Sequence, residues 1–181
     1  MNYNSDAGQD AFVLNATKFK KHGFFLEFGA QHPINSNNTY ILDNEYDWIG
    51  MMVEWHSKYQ HLYEEYRGKD VMYVIEDALA LSYDSIFKEA KFPKNIDYLQ
   101  IDLEAGMMTP LDLLMKLENE VMDDYKFATV TFEHDIYCAR PNSKDNVGGE
   151  QNGWVPYNPE NFHQVRDKSR EIFERYGYFS V

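Results

Sequence analysis

Acidic residues follow the apolar segments of this chain with unusual regularity. Short apolar segments that alternate with amphipathic stretches predict strands separated by helices. The carboxyl ends of parallel strands meet at one edge of a sheet, so side chains that follow such strands lie close together. In chain order, the residues at the ends of the predicted strands are Glu27 and Gly29, Glu54, Asp77, Asp102 and Glu104, then Glu133, His134 and Asp135. Buried carboxylates need hydrogen-bond donors, and a ligand rich in hydroxyl and amine groups would supply them.

The elements that position these residues follow from the hydrophobic pattern. Strands are predicted at residues 24–29, 49–53, 71–75, 96–103 and 127–132, with a sixth at 178–181. The helices between them are predicted at 10–21, 38–46, 56–66, 83–87, 109–121 and 162–176. This alternation predicts an α/β fold, a doubly wound and mostly parallel sheet with helices on both faces. We expect residues 1–181 to form a single domain, with 139–159 as a long loop near the active edge.

Composition limits the classes of partner. Lys and Arg total 17 against 30 Asp and Glu, which gives a net charge of −13 and argues against nucleic-acid binding. The single cysteine, Cys138, excludes an internal disulfide and fits a reducing compartment. The N-terminus lacks the pattern of a signal peptide, and no stretch approaches the ~20 apolar residues of a membrane span. We therefore expect a cytoplasmic protein that binds a small molecule and contacts no membrane.

Several short motifs follow one another from Gly8 onward and cover most of the chain. They are Gly8-Gln9-Asp10, the stretch GFFLEFGA that begins at Gly23, Asn38-Thr39-Tyr40, Leu42, Trp48-Ile49-Gly50, Val53-Glu54, Asp97-Tyr98-Leu99, Ile101-Asp102-Leu103-Glu104, Glu133-His134 and Tyr176-Gly177-Tyr178. Their order and spacing resemble those of the FkbM-type methyltransferases, a branch of the class I S-adenosylmethionine-dependent enzymes. The resemblance implies a Rossmann-like class I methyltransferase fold, of which the sequence shows no last, antiparallel strand. It also implies O-methyl transfer onto a small-molecule or sugar hydroxyl.

The resemblance also implies where S-adenosylmethionine binds. The predicted positions run from the methionine part through the ribose and adenine to the reacting methyl group: Glu27, Gly29, Ala30, Glu54, Asp77, Ala78 and Asp102. Among them, Glu54 would hold the ribose hydroxyls, since one carboxylate can accept two hydrogen bonds from a diol. The chain lacks the several glycines that a pyrophosphate requires. The side-chain amides of Gln31 and Asn38 are predicted to bind the cofactor in their place.

His134 and Asp102 are the predicted catalytic residues. His134 lies between Glu133 and Asp135, which would orient its ring as the base that accepts the hydroxyl proton during in-line attack on the methyl group. A structural role for this histidine is the alternative. Asp102, Glu133 and His134 together suit a divalent metal ion, but no tight ligand spacing supports one, and no metal is assigned.

Two other functions remain open. The first is a non-catalytic binding or assembly protein with a methyltransferase-like fold, favoured by His32-Pro33, where a small residue is usual, and by the missing seventh strand. The second, a dinucleotide or nucleotide-sugar enzyme, is disfavoured by the absent glycines. The short C-terminus allows three explanations: a short sheet, a second subunit that completes it in a homo-oligomer, or a strand within 139–159.

Overall fold

The computed structural model describes residues 3–139 and 158–180. These residues belong to two compact units. The first, called the sheet unit, comprises Met1–Asp102 and Glu120–Phe132, and the second, called the helical unit, comprises Leu103–Asn119 and Glu133–Val181. Most of the predicted loop at 139–159, namely residues 140–157, lies outside the described residues. The single-domain organisation and the position of this loop stay predictions.

The sheet unit contains five strands, all of them parallel. They are β1 (Phe24–Phe28), β2 (Ile49–Glu54), β3 (Val71–Ile75), β4 (Asn95–Ile101) and β5 (Lys126–Phe132). Their spatial order is β3-β2-β1-β4-β5, so β1 is central and β2 and β4 flank it. The chain therefore winds one way from β1 to β3 and the other way from β4 to β5. This arrangement confirms the predicted α/β, doubly wound, Rossmann-like fold.

Six α-helices are present among the described residues. The sheet unit contains α1 (Gln9–Ala16), α2 (Tyr40–Tyr46), α3 (Gln60–Tyr66) and α4 (Tyr83–Glu89), while α5 (Thr109–Glu120) and α6 (Pro159–Arg175) belong to the helical unit except for the last residue of α5. Short 3-10 turns span Ser57–Tyr59, Ala105–Met107 and Ile136–Ala139. None of the helices in residues 3–139 and 158–180 has the length and apolarity needed to cross a bilayer.

The core of the sheet unit lies where α1 and α2 face the central strands. A cluster of buried side chains there comprises Val13, Leu14, Phe25, Ala30, Ile41, Leu42, Tyr46, Trp48, Met52, Tyr63, Val71 and Tyr98. The strands approach each other closely at Gly50, where an added Cβ would lie 2.1 Å from the Phe25 carbonyl oxygen. Only glycine fits there. The indole Nε1 of Trp48 donates to the Lys20 carbonyl at 2.7 Å and so fixes the entry to β1.

The predicted sixth strand is wrong for the described residues 178–180, which form no strand. The physical reason lies at the end of α6. Gly177 has a φ of +85°, a left-handed conformation that turns the chain back on itself. The Tyr178 amide then donates to the Phe173 carbonyl at 3.0 Å, and the two rings pack edge to face with centroids 5.8 Å apart. The segment is therefore a helix cap within the helical unit.

Candidate functional site

A tight turn carries the chain from the end of β1 across the end of β2. Gly29 has a φ of +81°, and its amide and that of Ala30 both donate to the Val53 carbonyl, at 3.0 and 3.3 Å. Gln31 follows with a φ of +46°, which is uncommon for a residue with a side chain. The predicted residues Gly29, Ala30 and Gln31 therefore lie at the carboxyl edge of the sheet, directly beside the predicted Glu54.

Glu54, the last residue of β2, holds this turn with its carboxylate. Oε2 accepts from the Gln31 amide at 2.9 Å, and Oε1 accepts from the His56 amide at 2.8 Å. The side chain is only 3% exposed. A carboxylate has about four acceptor positions, so each oxygen retains one for a ligand hydroxyl. Glu54 thus joins two backbone segments, and its carboxylate is the type of hydrogen-bond acceptor that binding a diol requires.

Glu27 is 1% exposed, and its hydrogen-bond donors come from the segment that precedes α2. The Thr39 hydroxyl donates to Oε2 at 2.7 Å, the Asn37 amide group donates to the same oxygen at 3.3 Å, and the Asn38 backbone amide donates to Oε1 at 3.2 Å. Burial raises the pKa of Glu27 above its ordinary value, and the Arg67 guanidinium and these hydrogen bonds oppose that rise. The protein itself therefore supplies the donors that the sequence analysis expected from a ligand.

Arg67, which follows α3, completes this network and was not predicted. Its guanidinium donates to Asp43 Oδ2 at 3.0 Å, to Asn37 Oδ1 at 3.0 Å and to Thr39 Oγ1 at 2.9 Å. Its side chain is buried. The Thr39 hydroxyl thus bridges Arg67 and Glu27. The cluster contains two carboxylates, those of Glu27 and Asp43, for a single guanidinium. The only sequence signal was an arginine just after a helix whose apolar face was already visible.

The segment at residues 31–39 is held at both ends by α3 and its C-terminal flank. The Tyr63 hydroxyl donates to the Gln31 carbonyl, and one helical turn later Arg67 donates to the Pro33 carbonyl at 3.5 Å. Within the segment, His32 Nδ1 accepts from the amides of Ile34 and Asn35, both at 3.1 Å. The His32 ring therefore organises a local turn at His32-Pro33.

Two side-chain carbonyls beside Glu27 accept no hydrogen bond from the part of the chain that the structure describes. They are Asn38 Oδ1 and Gln100 Oε1, on side chains that are 4% and 2% exposed. Gln100 in β4 is the register partner of Glu27 in β1, and the Asn38 amide donates to Glu27. Asn38 was predicted as a cofactor residue, whereas Gln100 gave no signal because a glutamine within a strand is uninformative.

The remaining predicted cofactor residues, Asp77, Ala78 and Asp102, differ in their exposure and in the hydrogen bonds that they already make. Asp77 follows β3, is exposed, and accepts from the Leu79 amide at 2.9 Å, which forms a local turn. Ala78 is buried, and its carbonyl accepts from the Tyr83 hydroxyl at 2.6 Å. Asp102 follows β4, and its amide donates to the Phe28 carbonyl at 3.0 Å, which extends the sheet edge by one bond. Glu27, Glu54 and Asp102 therefore share the carboxyl edge of the sheet, as expected.

His134 lies in the helical unit, within the turn that follows β5, so it belongs to a different unit from Asp102. Burial lowers the pKa of His134, and the charges of Arg170 and Arg166 lower it further. Its Nδ1 accepts from the Ile136 amide at 3.2 Å, so the neutral ring carries its proton on Nε2. In this arrangement the ring presents a donor. The predicted base role stays a prediction, and it requires Nδ1 to release Ile136.

The neighbouring Asp135 is in a strained and acidic environment. It has a φ of +48°, and burial together with the Glu133 carboxylate raises its pKa to about 6. Burial and Asp135 likewise raise the pKa of Tyr137 above its ordinary value. Across residues 3–139 and 158–180, no group of three or more His, Cys, Asp and Glu side chains is arranged to hold a metal ion.

Comparison with known proteins identifies no relative of this chain: no protein-family model matches it, and neither does any curated protein.

Proposed function

We propose that this protein is an S-adenosylmethionine-dependent O-methyltransferase that acts on a small-molecule or sugar hydroxyl. The observation that carries the proposal is the arrangement around the turn at Gly29. Glu27 lies next to the last residue of β1, Glu54 ends the adjacent strand β2, and Gly29 with its positive φ begins the turn that joins them. The sheet winding reverses between β1 and β4, and ligands of doubly wound sheets bind at the carboxyl ends of the strands beside this switch. A turn with a single glycine suits a nucleoside ligand without a pyrophosphate.

The residues present fit such a cofactor. The unused acceptor positions of Glu54 suit a ribose diol, and the buried carbonyls of Asn38 and Gln100 suit N–H donors. Trp55, which directly follows Glu54, is exposed and stacks on His56 with ring centroids 4.1 Å apart, so it offers an aromatic surface for a purine. S-adenosylmethionine, when bound, supplies a methyl group activated by its attachment to a sulfonium.

The roles of the chain's own residues follow from their chemistry. Glu54 would hold the nucleoside, and the segment at residues 31–39 would exclude water from one side of the site. Asp102, at the same sheet edge, would orient the acceptor hydroxyl by accepting its hydrogen bond. His134 stays the predicted base for the hydroxyl proton, a role that requires its Nδ1 to release the Ile136 amide. Methyl transfer of this kind depends mainly on positioning the two reacting groups.

A non-catalytic binding or assembly protein is the second candidate. The specific observation in its favour is that Glu27 accepts hydrogen bonds from Asn37, Asn38 and Thr39, so the chain itself satisfies this acid without a ligand. The two candidates differ in turnover. Binding of S-adenosylhomocysteine without transfer of labelled methyl groups to any hydroxylated acceptor would favour the second.

The test is calorimetric titration with S-adenosylhomocysteine, NAD and a nucleotide sugar, wild type beside Glu54→Gln. We expect wild type to bind only S-adenosylhomocysteine. Glu54→Gln should weaken that binding by about 2 kcal/mol, because charge-assisted hydrogen bonds to the ribose are lost.

Glu76→Gln is the matched control, since Glu76 is exposed and follows the adjacent strand β3. It should leave the affinity unchanged. Thermal melts of both variants separate a lost ligand contact from the loss of the Gln31 or His56 hydrogen bond. Preferred binding of NAD or the nucleotide sugar would overturn the proposal, and equal affinity in folded wild type and Glu54→Gln would remove the ribose assignment.

A further inference from the structure

Two arginines of α6 are only partly engaged by the rest of the described chain. The described residues include four arginines, of which Arg67 is buried in a hydrogen-bond network and Arg175 forms an ion pair with α5. Arg166 donates from Nε to Asp167 at 2.7 Å, and its guanidinium makes no other hydrogen bond within the described residues. Arg170 is exposed, and within residues 3–139 and 158–180 its side chain forms neither an ion pair nor a hydrogen bond. These two guanidinium groups are therefore available to a ligand.

Both arginines lie on one flank of α6, on the side of the predicted base. Arg166 and Arg170 are four residues apart, so they lie one helical turn apart on the same side of the helix. Arg166 adjoins the buried stripe of α6, which comprises Phe162, Val165, Ser169 and Ile172. The helix packs against the 3-10 turn at Ile136–Ala139, which begins two residues after His134. The two arginines and His134 therefore belong to the same part of the helical unit.

Both guanidinium charges act on the His134 ring. Burial lowers the pKa of this histidine most, and the charges of Arg170 and Arg166 lower it further. Interactions between charges are largely screened beyond about 10 Å at ordinary ionic strength, so both cations lie near the ring. Their effect keeps the imidazole neutral, which is the form that can accept a proton. One region thus combines a candidate proton acceptor with two cations.

The two acids of the neighbouring turn leave these cations available. Asp135 forms side-chain hydrogen bonds with Glu133 and Tyr137. Among the described residues, neither Glu133 nor Asp135 forms an ion pair with an arginine of α6. Asp167 pairs with Arg166 alone, so the two guanidinium groups share one ion-pair partner. An anion is the group that would balance the second guanidinium.

The chemistry of the guanidinium group identifies the class of ligand. Each guanidinium presents its donors in a planar fork that matches the paired oxygens of a carboxylate or a phosphate. We propose that Arg166 and Arg170 form an oxyanion-binding site for the methyl acceptor, so that the protein selects hydroxylated molecules that carry a carboxylate or a phosphate. The assignment of this site to the acceptor rests on the proposed function and deepens it, because it names the class of acceptor. The oxyanion then holds the acceptor beside His134.

The experiment is an NMR titration of isotope-labelled protein, followed on the Nε–H signals of its arginines. The probes are glucuronate, its neutral amide glucuronamide, which carries the same hydroxyl groups, and inorganic phosphate. We expect glucuronate and phosphate to shift the signals of Arg166 and Arg170, and glucuronamide to shift neither. The tighter of the two oxyanions indicates whether the acceptor carries a carboxylate or a phosphate.

Arg170→Met is the decisive variant, because Arg170 is exposed and its replacement breaks no hydrogen bond within the described residues. We expect it to weaken binding of both oxyanions about tenfold, since charge-assisted hydrogen bonds are lost. Lys168→Met is the matched control. It removes a positive charge from an exposed residue of the same helix, two positions from each arginine and therefore on the opposite flank. Its affinity for both oxyanions should equal that of wild type.

The outcomes separate this inference from the proposed function, because the titrations need no cofactor. The inference is overturned if neither oxyanion shifts the two arginine signals, if glucuronamide binds as tightly as glucuronate, or if Arg170→Met binds the oxyanions like wild type. It is also overturned if Lys168→Met weakens binding as much as Arg170→Met, since the effect is then one of net charge. If wild type binds oxyanions at these arginines but does not bind S-adenosylhomocysteine, the proposed function fails, and only the assignment of the site to a methyl acceptor fails with it.

Discussion

The two units surround their buried acids with different neighbours, although burial raises the pKa of both acids. In the sheet unit, Glu27 is almost wholly buried, but it accepts hydrogen bonds from three residues and lies near the Arg67 guanidinium. In the helical unit, Asp135 is only half-buried, yet its main carboxylate neighbour is Glu133, and its pKa is raised to about 6. Depth of burial alone therefore does not decide how an acid behaves. The donors and charges around it decide.

This difference separates two kinds of contribution to a site. A carboxylate with a full set of donors fixes the backbone segments that supply them, so Glu27 orders residues 37–39. A carboxylate beside another carboxylate retains its proton up to near-neutral pH. The turn at Glu133–Asp135 therefore contains a carboxyl group that exchanges its proton near pH 6, whereas the cluster at Glu27 is a structural support.

The largest expected effect comes from removing the cation of the Glu27 cluster. Arg67→Met should lower the free energy of unfolding by about 3–5 kcal/mol, because it leaves a buried carboxylate without its opposite charge. Chemical denaturation monitored by circular dichroism measures this change. The control is Arg175→Met, which breaks the exposed pair with Glu118 and should change stability little. If Arg67→Met and Arg175→Met lowered the free energy of unfolding equally, the Arg67 charge would not stabilise buried Glu27.

The next largest effect is expected on the rate of methyl transfer, from replacing His134 in the helical unit. If His134 is the base predicted from the sequence, His134→Ala should lower the rate of methyl transfer about 10²-fold, because the group that takes the hydroxyl proton is lost. His134→Gln should be about as slow, since a side-chain amide takes up no proton. Rates with labelled cofactor on both variants test this. A His134→Gln protein that keeps most of the rate would contradict the base role.

A smaller effect is expected from the hydroxyl that joins Glu27 to Arg67. Thr39→Val keeps the shape of the side chain but removes the contacts of its hydroxyl with Glu27, Arg67 and Asn37, so we expect a loss of about 2 kcal/mol in the free energy of unfolding. Thr129→Val is the matched control in the same unit, because its hydroxyl donates only to the Asp97 carbonyl, at 2.7 Å. A Thr39→Val protein as stable as the control variant would show that Arg67 and Glu27 attract each other without the bridge.

The smallest effect has the opposite sign and depends on pH. A raised pKa means that native Asp135 keeps its proton while the unfolded chain loses it, so stability falls as pH rises from about 4 to about 6. Asp135→Asn removes this penalty and tolerates the left-handed backbone. We expect a gain of about 1 kcal/mol at pH 8, discounted for solvent screening of a partly exposed group, and no gain at pH 4.

Thermal melts of Asp135→Asn across this pH range, beside the exposed control Glu174→Gln, measure the effect. The control should follow wild type at every pH. A gain that is the same at pH 4 and pH 8 would show that Asp135 does not carry the pH dependence.

The sheet was predictable because its signals are local. Apolar runs of strand length, separated by amphipathic helices, define the order of the elements along the chain, and this alternation predicts the parallel, doubly wound sheet. The sixth strand failed for a local reason as well. Tyr178 and Phe179 have the composition of a strand, but Gly177 ends α6 and returns Tyr178 to Phe173, and this competition between a cap and a strand is not visible in composition.

The site was only partly predictable because its partners are distant in sequence. The acids at the strand ends follow directly from the elements. The donors that satisfy Glu27 and the cation that accompanies it lie 10 to 40 residues further along the chain and depend on how α2 and α3 pack. Gln100 shows this most clearly, since only the register of β4 on β1 brings it beside Glu27.

The two contacts that α3 and its flank make with residues 31–39 also have a consequence for motion. Tyr63 holds the Gln31 carbonyl, and Arg67 holds the Pro33 carbonyl and the side chains of Asn37 and Thr39. A segment without regular secondary structure is normally among the first to open in a native protein. Here it cannot open unless α3 loosens as well, so its amide protons should exchange with solvent at the rate of the helix.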